Sequence, residues 1–438
     1  MQKYLELKYI FKIGLMGLSK DQYEGSNRVF YDTIRWLLYS GIRITSGPDK
    51  GAVYGWKNLS RNSNLSSYTY PFIYSEITGY AVTFFSWIYS ELKTEESLEA
   101  AKLSAGWLIR NMDLSSSSSL LVAGHVKGDN FKDKGNLSNQ IYAFDNGMII
   151  IGLLNLYKIT KDSTVLSAAE NMTKSLLRYF FNESSSEVIT AALLDNNFET
   201  VSYGKGKWST VPGAYHSKLA LALLPLYHIT NNDLYNRITE SLCNFATTFQ
   251  KPDGRFTTNP GSEDVTFLHP HLYACEGLIY AGITQHNTQH LMSGLKGLAW
   301  AVRQIKANGG LPRSTYEQDI EQSDCMAQLL RLLILCNSDL LRKLLNKNDD
   351  AVVVIDTAIE LLHKRLLDFY VSDEPDSVGA GTGAIRYQLN LESVCSWCTM
   401  FSSQALRLWS QRKINEIKGK EVKGKKESES IAWLDFYI

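Results

Sequence analysis

The hydrophobic pattern of this chain comes in paired blocks. A stretch apolar on nearly every face is followed by a short polar turn, then by a stretch with one apolar stripe. The first pair covers roughly 75–92 and 95–112. In the former, Ile77, Tyr80, Ala81, Phe84, Phe85, Ile88 and Tyr89 stand among further apolar neighbours; in the latter, Leu98, Ala101, Ala105, Leu108 and Met112 form a single stripe. A helix apolar all round must be enclosed, whereas a single stripe leaves the opposite face in water. The same contrast predicts pairs at 147–159 with 164–181, 218–229 with 233–249, 271–283 with 288–306, and 323–336 with 349–370. Pro225 is expected to kink the third enclosed helix. A sixth enclosed helix, 394–409, has no striped partner after it, and a helix over 21–38 is the spare that would serve it. Six enclosed helices ringed by six striped ones make an all-α (α/α)6 toroid, since repeats at this period fix an architecture before any motif is sought. The expected organisation is one toroidal domain over residues 1–412, with 21–40 closing the ring, and a charged tail over 413–438.

Each enclosed helix is led in by a polar or aromatic cluster: Tyr74 to Glu76, Tyr142 to Asp145, Tyr215 with His216, His269 to His271, Gln322 to Asp324, and Ser393 to Trp397. Connections from enclosed to striped helices are short (93–94, 160–163, 230–232), with 337–348 the exception. Those in the other direction are long: 44–74, 113–141, 182–214, 252–268, 308–321 and 371–392. Because the helices alternate in direction, all the long loops emerge on one rim. Long loops in a compact protein are usually functional or disordered. These are rich in glycine, aromatic and polar residues, as in Lys205 to Trp208, Asp253 to Phe256, Gly309 to Pro312, Glu374 to Ser377 and Gly379 to Gly383. Minor β structure is expected among them, with 384–391 pairing across the rim. Only 115–119 and the charged run 413–427 read as disordered.

Composition narrows the function classes. Of 438 residues, 44% are hydrophobic and 21% charged, enough for a large core. Lys and Arg balance Asp and Glu at 45 each, and no basic cluster marks a phosphate-binding face, so nucleic acid is not an expected partner. No run of about 18 apolar residues predicts a membrane span, and the lysine-interrupted N-terminus makes a poor signal peptide. The six cysteines are scattered; four of them, at 243, 275, 325 and 336, fall in apolar helical stretches and suit buried thiols of a cytoplasmic protein. Cys395 and Cys398 form a lone CxxC with no second pair at zinc-site spacing, so no metal or cofactor is expected. Among 24 Tyr and 9 Trp, many fall between helices, where flat rings can serve either core packing or sugar stacking.

The repeated hairpins with acid- or histidine-led inner helices, together with the rim turns Asp253 to Phe256 and Gly309 to Pro312, resemble the six-hairpin glycosidase superfamily over about residues 21–412. No signature of one member family is matched. The resemblance implies the toroid fold and a carbohydrate substrate. Glycoside hydrolysis needs one carboxylic acid to protonate the leaving oxygen and a second carboxylate to activate water or attack. Asp145 and Glu276 lead the candidates, with Glu76 and Asp324 in reserve. An aspartate at a helix start also serves as an N-cap, and a first-turn glutamate complements the helix dipole. Glu276 lies inside an otherwise apolar helix, so it must be paired, protonated or facing a wet pore. His216 and His271, facing each other across the bowl, would instead suit proton abstraction from carbon, in a sugar epimerase or uronate lyase. Tyr142, Trp208, Tyr215, Phe256, His269, Arg313 and Trp397 are the expected substrate-binding residues. Terpene cyclases and protein prenyltransferases are also α-toroids; the prenyltransferases need an Asp/Cys/His zinc site, and the acidic DxDD motif that the cyclases need is not found, the pairs Glu263-Asp264 and Asp349-Asp350 having the wrong pattern. A toroid that handles glycans without catalysis is the third reading.

Overall fold

The computed structural model of the protein describes residues 20–59, 72–114, 119–126, 140–188, 191–193, 199–200, 208–258, 265–336, 339–346, 355–372 and 381–417. Its inner helices are α2 (Ser75–Leu92), α4 (Ala143–Thr160), α6 (Ala220–Thr230), α8 (Leu268–Thr284), α10 (Ser323–Leu335) and α13 (Ser396–Ile417). The outer helices are α1 (Lys20–Tyr39), α3 (Glu95–Leu114), α5 (Ser163–Phe180), α7 (Asp233–Thr247), α9 (Thr288–Val302) and α12 (Ile355–Leu367). Each inner helix packs on the next, and α13 returns to α2, so the inner ring is closed; α1 lies against α13 and completes the outer ring. This is the (α/α)6 toroid that the paired blocks predict.

The alternation of directions is built into the turns. Four inner helices are followed by the same device: a residue in the left-handed region (Lys93, Lys161, Asn231, His286) and then a polar residue that opens the outer helix. At the latter position Asp162, Asn232 and Asn287 accept backbone N–H bonds from the first turns of α5, α7 and α9. Inner helices begin differently. Tyr74, Tyr142, Phe267 and Gln322 precede α2, α4, α8 and α10 in extended conformation with no side-chain cap. Rim carbonyls do part of that work: Ser75 N–H donates to Ala123, Leu268 N–H to Arg313, Ser323 N–H to Tyr387 and Ser396 N–H to Gly55. A buried N–H left unpaired is costly, so the rim loops are bound to the helix starts they surround.

Short antiparallel ladders knit that rim. The strands are β1 (Trp56–Asn58), β2 (Phe72–Tyr74), β3 (Gly124–Val126), β4 (Gln140–Tyr142), β5 (Phe181–Asn182), β6 (Glu187–Val188), β7 (Ala191–Leu193), β8 (Glu199–Thr200) and β9 (Ser393–Cys395). They pair as β1–β9, β2–β3, β4–β7–β8 and β5–β6. Strands β2, β4 and β9 run straight into α2, α4 and α13, so the ladders fix where three inner helices start.

The core fills the space between the two rings. Helices α2 and α4 approach so closely that a Cβ on Gly152 would stand 2.5 Å from the Gly79 carbonyl oxygen, and one on Gly79 2.8 Å from the Ile149 Cα. Three expectations change. The long turn after α10 contains a helix, α11 (Asp339–Asn346), whose Leu341 and Leu345 are buried one turn apart. The third inner helix is entered through a 3-10 segment, Ala214–Leu219, and Pro225 lies inside α6. The run after Lys413 starts as helix rather than coil, because α13 continues to Ile417 and Lys413 pairs with Glu360 at 2.6 Å and Glu416 at 3.1 Å. The remaining tail, 418–438, most of the 115–119 stretch, and the loop segments 205–207 and 374–377 lie outside the described residues.

Candidate active site

Three carboxylates converge because three inner helices begin at one level. Glu76, Asp145 and Asp324 each stand in the first turn of their helix and line one cavity of about 510 Å³ at the centre of the rim. That volume is within the range of small-molecule sites. Asp145 is the third residue of α4 and does not cap it; the cap position is Tyr142. All three acids stand at the positive end of their own helix dipole.

Each acid has its own surroundings. The Tyr80 hydroxyl donates to Glu76 Oε1 at 2.7 Å and meets the Tyr273 hydroxyl at 2.9 Å. Asp145 accepts a hydrogen bond from the Tyr74 hydroxyl. Asp324 Oδ1 accepts the backbone N–H of Cys325 at 2.8 Å, and its Oδ2 accepts the Trp397 indole N–H at 3.2 Å. His269 Nδ1 lies 3.6 Å from the same oxygen. Burial, only partly offset by Asp324, lowers the His269 pKa and keeps the ring neutral. Burial first, then the neighbouring carboxylates, push Tyr74, Tyr80 and Tyr273 well above the ordinary phenol range, so these hydroxyls stay protonated.

The walls are aromatic. Trp208 stands edge-on to His269 at 5.9 Å, with Phe144 and Tyr273 behind. Elsewhere in the lining Trp397 tilts against Tyr387 at 5.8 Å, and Trp56 meets Phe72 edge-on at 4.6 Å. Arg313 reaches the lining over the Phe267 ring and is held by Glu317 at 3.0 Å. Flat faces among carboxylates and a guanidinium suit a polyhydroxylated ring, which has both apolar C–H faces and hydrogen-bonding edges.

Of the residues expected from sequence, Glu76, Asp145, Asp324, Trp208, His269, Arg313 and Trp397 line this cavity. The rest stand behind it. Glu276 is enclosed below the floor, 3.0 Å from Lys218 Nζ and 3.7 Å from Arg331; of the three options open to it, it takes pairing. His216 and His271 do not face each other across the bowl. His216 is buried against the Tyr215 ring at 4.0 Å, and burial lowers its pKa to about 3. His271 accepts the Phe256 N–H at Nδ1 (3.2 Å) and donates from Nε2 to the Gly297 carbonyl (3.0 Å). Burial lowers its pKa to about 4. Phe256 is fully buried beside His271, Tyr142 donates to Gln140, and Tyr215 backs Trp208 while donating to Val211. Tyr74, Tyr80, Phe144, Gln322 and Tyr387 also line the cavity. Tyr74 and Gln322 were legible as lead-in residues; Tyr387, in the extended 384–391 piece, gave no signal of its own. For a metal, His269, Asp324 and Cys325 offer donor atoms within 4.8 Å of one another, although Cys325 is buried and its thiol reaches Gln322.

A closed ring of six hairpins, the (α/α)6 toroid, is a fold this chain shares with solved sugar epimerases and a sugar isomerase. A sugar epimerase from a ruminal bacterium superposes with a TM-score of 0.65 and 12% identity, covering 89% of this chain and 98% of its own. A D-mannose isomerase does so at 0.64 and 13%, covering 91% and 100%. The unsaturated glucuronyl hydrolase of Bacillus sp. GL1, responsible for the degradation of glycosaminoglycan, gives 0.58 and 12%, covering 90% and 97%. No protein-family model and no curated protein sequence matches the chain. Among the described residues no helix is long and apolar enough to cross a membrane.

Proposed function

We propose that this protein is a carbohydrate-active enzyme that cleaves a glycosidic bond with the carboxylates of Glu76 and Asp145. The observation that carries this reading is their placement. They occupy the first turns of adjacent inner helices, line the same aromatic-walled cavity, and are backed by Tyr80 and Tyr74. One acid protonates the departing oxygen while the other activates water or attacks the anomeric carbon. Asp324, held by Trp397, orients a sugar hydroxyl; Trp208 and Trp397 stack on sugar faces, and Arg313 binds an oxygen-rich substituent. Known carbohydrate enzymes of this fold, hydrolases among them, support the substrate class. Buried thiols suit a cytoplasmic setting.

The test is turnover on a panel of oligosaccharides and uronic-acid polymers, followed by reducing ends and by absorbance of unsaturated products. Glu76→Gln and Asp145→Asn are each expected to lower kcat by on the order of 10²–10⁴-fold. Full activity in both variants would overturn the pair.

A second reading has one observation in its favour. His269 lines the cavity as a neutral base with Asp324 behind it, and two fold neighbours are a sugar epimerase and a sugar isomerase. Proton transfer at carbon would then pass through His269 rather than through His216 and His271. Incorporation of deuterium from D₂O into a C–H position, abolished by His269→Gln, would select this reading over hydrolysis. Glycan binding without turnover in either assay would select a non-catalytic role.

A further inference from the structure

We propose that the buried cluster of Lys218, Glu276 and Arg331 below the bowl is a positioning device that holds Glu76 ionised, acting through Tyr273 and Tyr80. The inference rests on the reading of Glu76 as one of the two working acids and assigns it the role of base or nucleophile, leaving Asp145 to act as the acid.

The cluster is assembled from three consecutive inner elements. Lys218 comes from the 3-10 segment before α6, Glu276 from α8 and Arg331 from α10, and each is essentially without solvent exposure. Two cations face the Glu276 carboxylate, and Lys218 is attracted to Glu76 as well. Lys218 also packs against the cavity wall. Lys218 Nζ lies 4.1 Å from the centroid of the Tyr273 ring, whose hydroxyl opens into the bowl.

The hydroxyl chain gives that charge a direction. Tyr80 spends its single proton on Glu76 Oε1, so the contact between Tyr80 and Tyr273 is donated by Tyr273. The order is Tyr273 O–H to Tyr80 O–H to the Glu76 carboxylate. Were Glu76 to present a proton along this chain, both tyrosines would have to turn round. Hydrogen bonds to the charged form, and a cation behind them, both favour the carboxylate.

Other groups face Glu76 from the surrounding elements. Tyr74 precedes it at the end of β2, Asp145 stands on α4 and Asp324 on α10; the two aspartates oppose its ionisation as like charges. His269, on α8, is held neutral and contributes no charge. Lys218 itself is lowered to about 8, burial outweighing its attraction to Glu276 and Glu76. The floor cation is therefore in place at neutral pH and is lost on the alkaline side.

The test is the ionisation of Glu76 in the free protein. The protein is labelled with ¹³C at the glutamate carboxyl, and the Glu76 resonance is identified by its absence in Glu76→Gln. The expected result is a midpoint roughly one pH unit higher in Lys218→Met, for loss of one charge at this range, with Lys218→Arg keeping the wild-type value. Tyr273→Phe breaks the hydroxyl chain without touching the cluster. It is expected to raise the midpoint as well, and it serves if Lys218→Met fails to fold. An unchanged midpoint in folded Lys218→Met, or in Tyr273→Phe when the former does not fold, overturns the proposal. Where turnover is measurable, the acid limb of kcat/KM moves with the midpoint. Full turnover in Glu76→Gln would remove the functional reading alone, since the carboxyl titration needs no substrate.

Discussion

Single side chains decide what the bowl can and cannot do, and the histidines show it best. His216, His271 and His363 are buried neutral rings, lowered to about 3, 4 and 3, mainly by burial. His271 cannot accept a proton at Nδ1 without losing the Phe256 N–H, and His363 is stacked on Trp409 with Nε2 2.7 Å from Ser26 Oγ. In the unfolded chain each ring titrates near 6.5. Above that pH neither state binds the proton; as pH falls below it, the unfolded state takes up protons that the native state refuses. The stabilisation is thus complete above about pH 6.5 and lost progressively toward the folded values. Each ring costs the fold about 2 kcal/mol at pH 5 relative to pH 7. Urea unfolding at the two pH values should show the sum, and a flat profile would refute the neutral assignment. At this scale the sequence was a poor guide to Glu276. Periodicity gives a carboxylate in an apolar helix but not what lies opposite. The clue was Lys218 and Arg331, lone cations in the flanking apolar stretches, whose compensation only packing reveals.

At the scale of elements the sequence was far more legible. An enclosed helix expected over 75–92 runs Ser75–Leu92, and the last outer helix, expected at 21–38, runs Lys20–Tyr39. Burial on all faces and burial on one stripe differ in every turn of the helix, so errors in single residues average out. What stayed hidden were features without a period: the 3-10 entrance at Ala214–Leu219, α11, and the ladders that lock the rim. The contact between α2 and α4 is the element-level basis of the proposed acid pair. Gly79 and Gly152 set the helix separation, and Glu76 and Asp145 ride on the two starts. Gly152→Ala forces a methyl group toward the Gly79 carbonyl and is expected to destabilise by about 1–3 kcal/mol. Under the proposed chemistry it also lowers kcat by more than KM changes, because the misfit spreads the two carboxylates apart. Thermal melting and steady-state kinetics on the one variant separate the two effects. A destabilised variant with wild-type kcat would show that the spacing of the pair does not matter.

The whole molecule is a ring, and its seam joins parts of the chain far apart in sequence. Thr33 donates to Ser403 at 2.8 Å, Ser26 meets His363, and β1 pairs with β9. Phe30 is fully buried at this seam, edge-on to Trp87 and under the Arg407 guanidinium at 5.3 Å. Phe30→Ala is expected to cost about 3–5 kcal/mol. Hydrogen exchange should then quicken in α1 and α13 together, more than in α5 and α7 on the far side. Uniform quickening round the ring would mean that the seam has no separate stability.

That seam also dictates an order of events at the ribosome. From α2 onward, each hairpin can settle on the one before it as it emerges. Helix α1, made before any of these hairpins, has its partner in α13, which emerges after all of them. The apolar stripe of α1 therefore waits, uncovered, through the synthesis of most of the protein. Nascent chains stalled before residue 396 should be recognised by chaperones at α1 rather than at their newest helix.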